Sequence, residues 1–410
     1  MDLRSHCEYI VNRAIERVQP DEAVRRALDG FPLPSGRLIL VAAGKAAWRM
    51  AQAAVSCLPG KPDAGIVITK YAHSQGPIGS LVIREAGHPV PDGNTFSATR
   101  EALAMTQNLR PEDTVLFLLS GGGSALFELP LVPEAEFSNI TGQLLACGAD
   151  IVEMNTLRKR LSAVKGGRFA LHCAPAQVYG VILSDVLGDR VDMIASGPVS
   201  PDGSTCTEAL SIAEKYRLRL SDDAYACLHQ ETPKHIPNAR ACVSGSVREL
   251  CAAAANACRE LGYTPQILTD SLTCEAKEAG KQLAAFACAH QDATIPLAFI
   301  AGGETVVKLT GTGLGGRNQE LALSAAEHLT GCQDTAIFSV GSDGTDGPTD
   351  AAGGFVTEHT CGELARKGFS IPDILAQNDS YHALLSCGSL IITGPTGTNV
   401  NDVAVVLIRR

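Results

Sequence analysis

Two segments of this chain carry residue types suited to chemistry on a phosphate. Gly311 to Glu320 reads GTGLGGRNQE, a glycine-rich turn whose only charges are Arg317 and Glu320, with Asn318 and Gln319 between them. Residues 339–354 read SVGSDGTDGPTDAAGG and continue the apolar run AIFSV at 336–340. They set Asp343, Asp346 and Asp350 among glycines and a proline, where no helix forms. A bare backbone turn beside an arginine suits a transferring phosphate, and clustered aspartates on a loop suit the magnesium that accompanies it. Together they point to phosphoryl transfer.

Other candidates stand at the ends of apolar runs. Lys45 follows Gly44 and opens a helical stretch, where its ammonium can meet an anion or simply sit in solvent. It is no Walker A lysine, since that pattern needs glycine where Ile39 stands. Ser120, Gly121, Gly122, Gly123 and Ser124 form a run whose glycines suit a close backbone approach to a ligand, or else a flexible turn. A dinucleotide fingerprint fails there at Leu126 and fails again from Gly313 at Asn318. Asp185 and Asp189 in SDVLGD suit magnesium or a hydroxyl, with an Asx-turn as the plainer use. Glu304 in AGGETVVKL can hold Arg317 by a bidentate contact or serve as an ordinary turn residue. The segment 154–168 carries Arg158, Lys159, Arg160, Lys165 and Arg168, either an anion patch or a solvated face. GHPVPD at 87–92 reads as a turn shaped by two prolines, with His88 a minor candidate. GPTGTNVND at 394–402 again sets polar groups, Asn399 and Asp402 among them, beside glycines.

The elements that must position these residues alternate. Apolar runs at 37–43, 64–70, 80–86, 113–120 and 177–184 read as buried strands, with helices at 45–58, 97–108, 133–148 and 150–163. Such alternation predicts a mainly parallel sheet covered on both faces, with ligands beyond the carboxyl ends of its strands. A proline- and charge-rich stretch, ETPKHIPNAR at 231–240, marks a boundary. Beyond it helices are expected at 246–261, 273–288 and 318–329, and strands at 264–270, 295–301, 335–340, 389–394 and 403–408. Domains of 1–235 and 236–410 follow.

Composition narrows the class. A chain of 410 residues exceeds what one core usually serves. Forty glycines and 5% aromatics fit an α/β enzyme better than a base-stacking protein. A net charge of −10 argues against a nucleic-acid partner. No apolar run reaches the roughly 18–20 residues of a membrane span, and the first residues lack a signal-peptide core. The fourteen cysteines hold no C-x-x-C, and the ten histidines no H-x-x-x-H, so small core hydrophobes in a reducing cytosol are expected.

The longer motifs carry a resemblance. LSGGGSALFELP, MNTLRKRLSAVKGGR, SDVLGDRVDMIASGPVSPD, GGETVVKLTGTGLGGRNQELAL, SDGTDGPTDAAGG and TGTNVNDV resemble the glycerate kinases of the MOFRL type, over about residues 5–408. The resemblance implies an N-terminal Rossmann-like α/β/α domain and a smaller C-terminal α/β MOFRL domain. It implies ATP- and Mg2+-dependent phosphorylation of D-glycerate, usually at the 2-hydroxyl, in a cleft between the domains. By motif, Lys45, Arg317 and Asp185 match catalytic positions. The combined reading assigns Ser120, Gly121, Gly122, Gly123, Ser124, Asp189, Glu304, Asn318 and Asn399 to substrate or nucleotide, and Asp343 and Asp346 to the metal. VSGSVREL at 243–250 departs from the family's usual asparagine-containing turn, and no residue is carried over from it. Some such proteins bear the name hydroxypyruvate reductase, so an NAD(P)H-dependent oxidoreductase is the alternative. A cytoplasmic location is expected, and homo-oligomerisation is left open.

Overall fold

The computed structural model describes residues 2–410. The chain divides into two compact units. One comprises Ala23–Ser184 and Asp189–Ser244; the other comprises the chain up to Glu22, Asp185–Gly188 and Gly245–Arg410. The units therefore part at Ser244, nine residues past the boundary drawn from composition, and the helix Leu3–Arg17 belongs with the C-terminal half.

The first unit is built on β1 (Leu38–Ala43), β2 (Ala64–Lys70), β3 (Val82–Ala86), β4 (Thr114–Leu119), β5 (Gln177–Leu183) and β6 (Ala239–Gly245). Their order is β3-β2-β1-β4-β5-β6, and the pairs from β3 through β5 are parallel. LILVAA in β1 is buried along its whole length, as a central parallel strand covered on both faces must be. The helix Ala47–Cys57 covers one face with Met50, Ala51 and Ala54, packed on Leu38, Leu40, Leu116 and Leu118. The helix Gly93–Met105 starts at a reciprocal capping box between Asp92 and Thr95. The order reverses between β1 and β4, so the loops after these two strands stand side by side at the switch point where such sheets bind ligands.

The second unit carries β7 (Thr264–Leu272), β8 (Leu297–Gly303), β9 (Thr335–Gly341), β10 (Gly353–Thr357), β11 (Leu390–Ile391) and β12 (Asp402–Ile408), ordered β11-β10-β9-β12-β8-β7. Only β7 and β8 run parallel; every other pair is antiparallel. β10 had no strand signal, because its residues GGFVT open with two glycines. Gly353 is there because a Cβ would strike the carbonyl of Ser339 across the ladder. One face packs on the helices Leu3–Arg17 and Val247–Glu260, the other on Ala276–Ala289 and Arg317–His328. Among the described residues no helix is long and apolar enough to cross a membrane.

Candidate active site

In the mixed-sheet unit, β8 ends at Gly303, β9 at Gly341, and β12 begins at Asp402, directly paired with both. Glu304, Asp343 and Asp402 are thereby brought to one end of the sheet, where the helix Arg317–His328 also begins. Arg317 donates from Nε to Asp402 Oδ2 at 2.5 Å and from Nη2 to Asp402 Oδ1 at 3.0 Å, a two-pronged grip. Nη1 donates to Glu304 Oε1 at 3.0 Å, and Asn401 Nδ2 holds the other Glu304 oxygen at 3.1 Å. The bidentate partner is thus Asp402, not Glu304 as the sequence suggested; its distance of 85 residues hid it. Burial pushes the Asp402 carboxyl up to about 6, against the opposing pull of Arg317. Burial works against the Arg317 charge too, but Asp402 and Glu304 outweigh it and hold the guanidinium above its ordinary value.

The glycine turn has a different job from the one its bareness implies. A Cβ on Gly311 or Gly313 would strike the Gln377 backbone, one on Gly315 the Ser380 hydroxyl, and one on Gly316 the Asp346 carboxylate. These glycines exist for close packing. Asp346, almost wholly buried, caps the helix they introduce: its carboxylate accepts from Asn318 N (3.1 Å), Asn318 Nδ2 (3.2 Å), Gln319 N (2.9 Å) and Gln319 Nε2 (3.0 Å). Asn318 Oδ1 accepts from Ser339 Oγ at 2.6 Å, so this side chain is locked in the interior. A cavity of about 920 Å3 opens beside the turn, with Arg317, Asp343, Leu187, Val306, Leu309 and Pro348 in its lining.

The three aspartates of the 342–352 loop part company. Asp343 closes its own turn by accepting from Thr345 N at 3.0 Å and lines the cavity; Asp350 accepts from Tyr381 Oη at 2.8 Å. Among the described residues no three His, Cys, Asp or Glu side chains converge as a metal cage. Magnesium held by one carboxylate together with substrate phosphates fits Asp343. It does not fit Asp346, whose oxygens are spent on four N–H donors. Asp185 also lies in this unit, its carbonyl accepting from Asn401 Nδ2 at 3.2 Å. Asn399 caps its own turn through Asn401 N at 3.4 Å.

In the parallel-sheet unit, the loops after β1 and β4 are stitched together. Lys45 N donates to Gly121 O at 2.9 Å, and Ala46 N donates to Ser120 Oγ at 3.0 Å. Gly122 takes the left-handed φ of +84°. Asp189 is left-handed as well, and its Oδ1 is buried with no hydrogen-bond partner among the described residues. The cation-rich segment 154–168 is turned inward instead of offering an anion patch. Lys159 and Arg160 are buried on Asp202 at 3.0 and 3.6 Å, Arg168 bonds the carbonyls of Lys159 and Ser162, and Lys165 donates to Gly123 O at 3.0 Å.

A family model described as a domain of unknown function (DUF4147) matches residues 6–229, and the MOFRL family model matches residues 297–402. The chain is 52% identical to the D-glycerate 2-kinase of Thermotoga maritima, over 97% of each chain. It is 39% identical to a putative hydroxypyruvate reductase of Agrobacterium vitis, over 97% of this chain and 93% of that one. The crystal structure of a Thermotoga maritima glycerate kinase superposes with a TM-score of 0.95 at 51% identity, over 99% of both chains. The chain belongs to the MOFRL-type glycerate kinase family. Within that family's two-domain plan, Arg317 and its acidic partners lie in the MOFRL segment, and Lys45 and the 120–124 loop lie in the DUF4147 segment.

Proposed function

We propose that this protein is an ATP-dependent glycerate kinase that phosphorylates D-glycerate at its 2-hydroxyl, giving 2-phosphoglycerate and ADP. The single observation that carries the reading is the gripped guanidinium of Arg317, within a chain alike over 97% of its length to a D-glycerate 2-kinase. Three of its five N–H groups are fixed by Asp402 and Glu304, which leaves two in a set direction for phosphoryl oxygens. A fixed donor aimed at charge that develops in the transition state needs no reorganisation as the reaction proceeds. The cavity of about 920 Å3 beside it has room for a nucleotide.

In this reading the glycerate 2-oxygen attacks the γ-phosphorus in line, the bond to the β–γ bridging oxygen breaks with its electron pair leaving on ADP, and the hydroxyl proton is lost to solvent water. The transition state is loose, so positioning and charge neutralisation dominate over a strong base. Arg317 neutralises charge on the transferring group, and Lys45 is the second catalytic cation by its motif. Asp185 orients the acceptor hydroxyl, and the 120–124 backbone offers N–H groups to an anion. Asp343, together with the nucleotide's phosphates, would hold magnesium, which would supply charge neutralisation on those phosphates. A cytoplasmic location belongs to the same proposal.

The test is direct. ADP should form from ATP only when D-glycerate is present, and enolase alone should convert the product to phosphoenolpyruvate. A signal that also requires phosphoglycerate mutase identifies the 3-phosphate and rejects the 2-hydroxyl. The alternative, hydroxypyruvate reduction, has the name of the Agrobacterium vitis relative behind it. NADH or NADPH oxidation with hydroxypyruvate and no ATP turnover would establish it instead.

A further inference from the structure

We propose that Lys45, Lys70, His73 and His88 form one anion subsite at the switch point of the parallel sheet, taking a carboxylate or terminal phosphate of a substrate. They come from the carboxyl ends of three neighbouring strands: Lys45 after β1, Lys70 and His73 at and after β2, His88 after β3. The loop after β4 closes the fourth side. His73 Nδ1 donates to the Lys45 carbonyl at 3.1 Å, and Thr69 Oγ1 donates to the Gly44 carbonyl at 3.2 Å, which ties the β2 end to the β1 end. A Cβ on Gly122 would lie 3.0 Å from His88 Nε2 and 3.2 Å from Lys45 Cγ. The imidazole and the lysine stem therefore close on the same glycine, and only glycine leaves room for both.

The charge pattern points to an anionic ligand. The whole chain is acidic, yet His88 is held below its ordinary imidazole value first by burial and then by Lys45, Lys70 and His73, all of them cations when charged. The nearby carboxylates are engaged elsewhere. Asp92 accepts from Tyr71 Oη at 2.6 Å and from Thr95 N at 2.9 Å, and Glu85 accepts from Ser74 N at 3.0 Å. Among the described residues neither lysine ammonium pairs with a carboxylate. Cations gathered without ion-pair partners work against folding, so their convergence at a ligand-binding position favours a bound anion. Lys70, His73 and His88 thus extend the role assigned to Lys45. The inference rests on the kinase reading for the identity of the anion and on the geometry for the subsite.

The full-length protein should be titrated with inorganic phosphate, D-glycerate and ADP in separate thermal-shift series, each yielding an apparent Kd. Lys70→Gln and His88→Gln should each weaken phosphate binding about tenfold, roughly the worth of one charge-assisted hydrogen bond. Lys70→Arg, which keeps the charge, should restore it. A parallel loss in the glycerate series alone assigns the subsite to the acceptor carboxylate, and one in the ADP series alone to the nucleotide. Unchanged Kd values in both Gln variants overturn the subsite, as does a wild type that none of the three anions stabilises. ADP formation by the wild type, measured separately, tells such a failure apart from failure of the kinase reading.

Discussion

At the scale of the residue, Arg317 is held by partners whose protonation sets its orientation. If its two remaining N–H groups meet the transferring phosphoryl, Arg317→Ala should lower kcat about 10³–10⁵-fold with the fold intact. Arg317→Lys should recover little, because an ammonium cannot fill the fork that Asp402 grips. A loss of tenfold or less, at unchanged thermal stability, would reduce Arg317 to a structural residue. Asp402 gives this pair a pH signature. Its carboxyl, pushed up to about 6, must be ionised to hold Arg317, so kcat/KM should fall as pH drops through about 6. The stability effect runs the other way. A carboxyl whose pKa is raised on folding takes up its proton more readily in the native state, so its contribution to stability grows as pH falls from about 6 toward 4. Asp402→Asn should flatten both trends and lower activity at every pH. Identical pH dependence in wild type and variant, in a kcat/KM profile and a melting series, would remove Asp402 from this role.

At the scale of the element, the helix Arg317–His328 depends on a cap supplied from the loop after β9. Asp346 fills the position at its N-terminus that an anionic ligand would otherwise suit, and the backbone glycines before it crowd against 346–347 and 377–380. Asp346→Ala removes the acceptor of four N–H groups in a buried setting, which should cost about 3 kcal/mol or more in a denaturant titration. Asp343 has no such burden. Asp343→Asn should leave the unfolding midpoint in place and raise the Mg2+ concentration needed for half-maximal activity about tenfold. Equal effects of the two variants on the midpoint would contradict this division of labour. The sequence displayed both aspartates in one motif, and only the position of the helix start distinguishes them.

At the scale of the whole molecule, the chain begins in one unit, builds the other, and returns. The helix Leu3–Arg17 buries Leu3, Ile10, Val11 and Ile15 in the core that also contains Leu250, Val340, Val403 and Val405. Four such side chains represent roughly 6–12 kcal/mol of burial, comparable to the roughly 5–15 kcal/mol stability of an entire domain. A chain lacking residues 1–22 should therefore lose cooperative unfolding of the C-terminal half. Hydrogen exchange or limited proteolysis should locate the loss in 245–410 and spare 38–119. A truncated chain with wild-type protection throughout 245–410 would show that the helix is dispensable.

The sequence by itself determined the α/β class and most of the strands, because buried parallel strands must be continuous apolar runs: 37–43, 64–70 and 113–120 lie within a residue or so of β1, β2 and β4. It also showed that Lys45, the 120–124 run and Arg317 stand where strands end or helices start, since glycine and charge cannot continue a buried run. Tertiary structure alone decided which of these residues meet. Asp402 reaches Arg317 because β12 pairs antiparallel with both β8 and β9, a register no local pattern encodes. β10 escaped notice because Gly353 answers to a carbonyl across the ladder and Gly354 to the side chains of Leu384 and Ala322, and Lys159 and Arg160 read as an anion patch or a solvated face because their buried partner, Asp202, lies some forty residues on. Local periodicity reports which face of an element is apolar. Which distant element then covers that face, and which charge meets which, is set by strand order and packing.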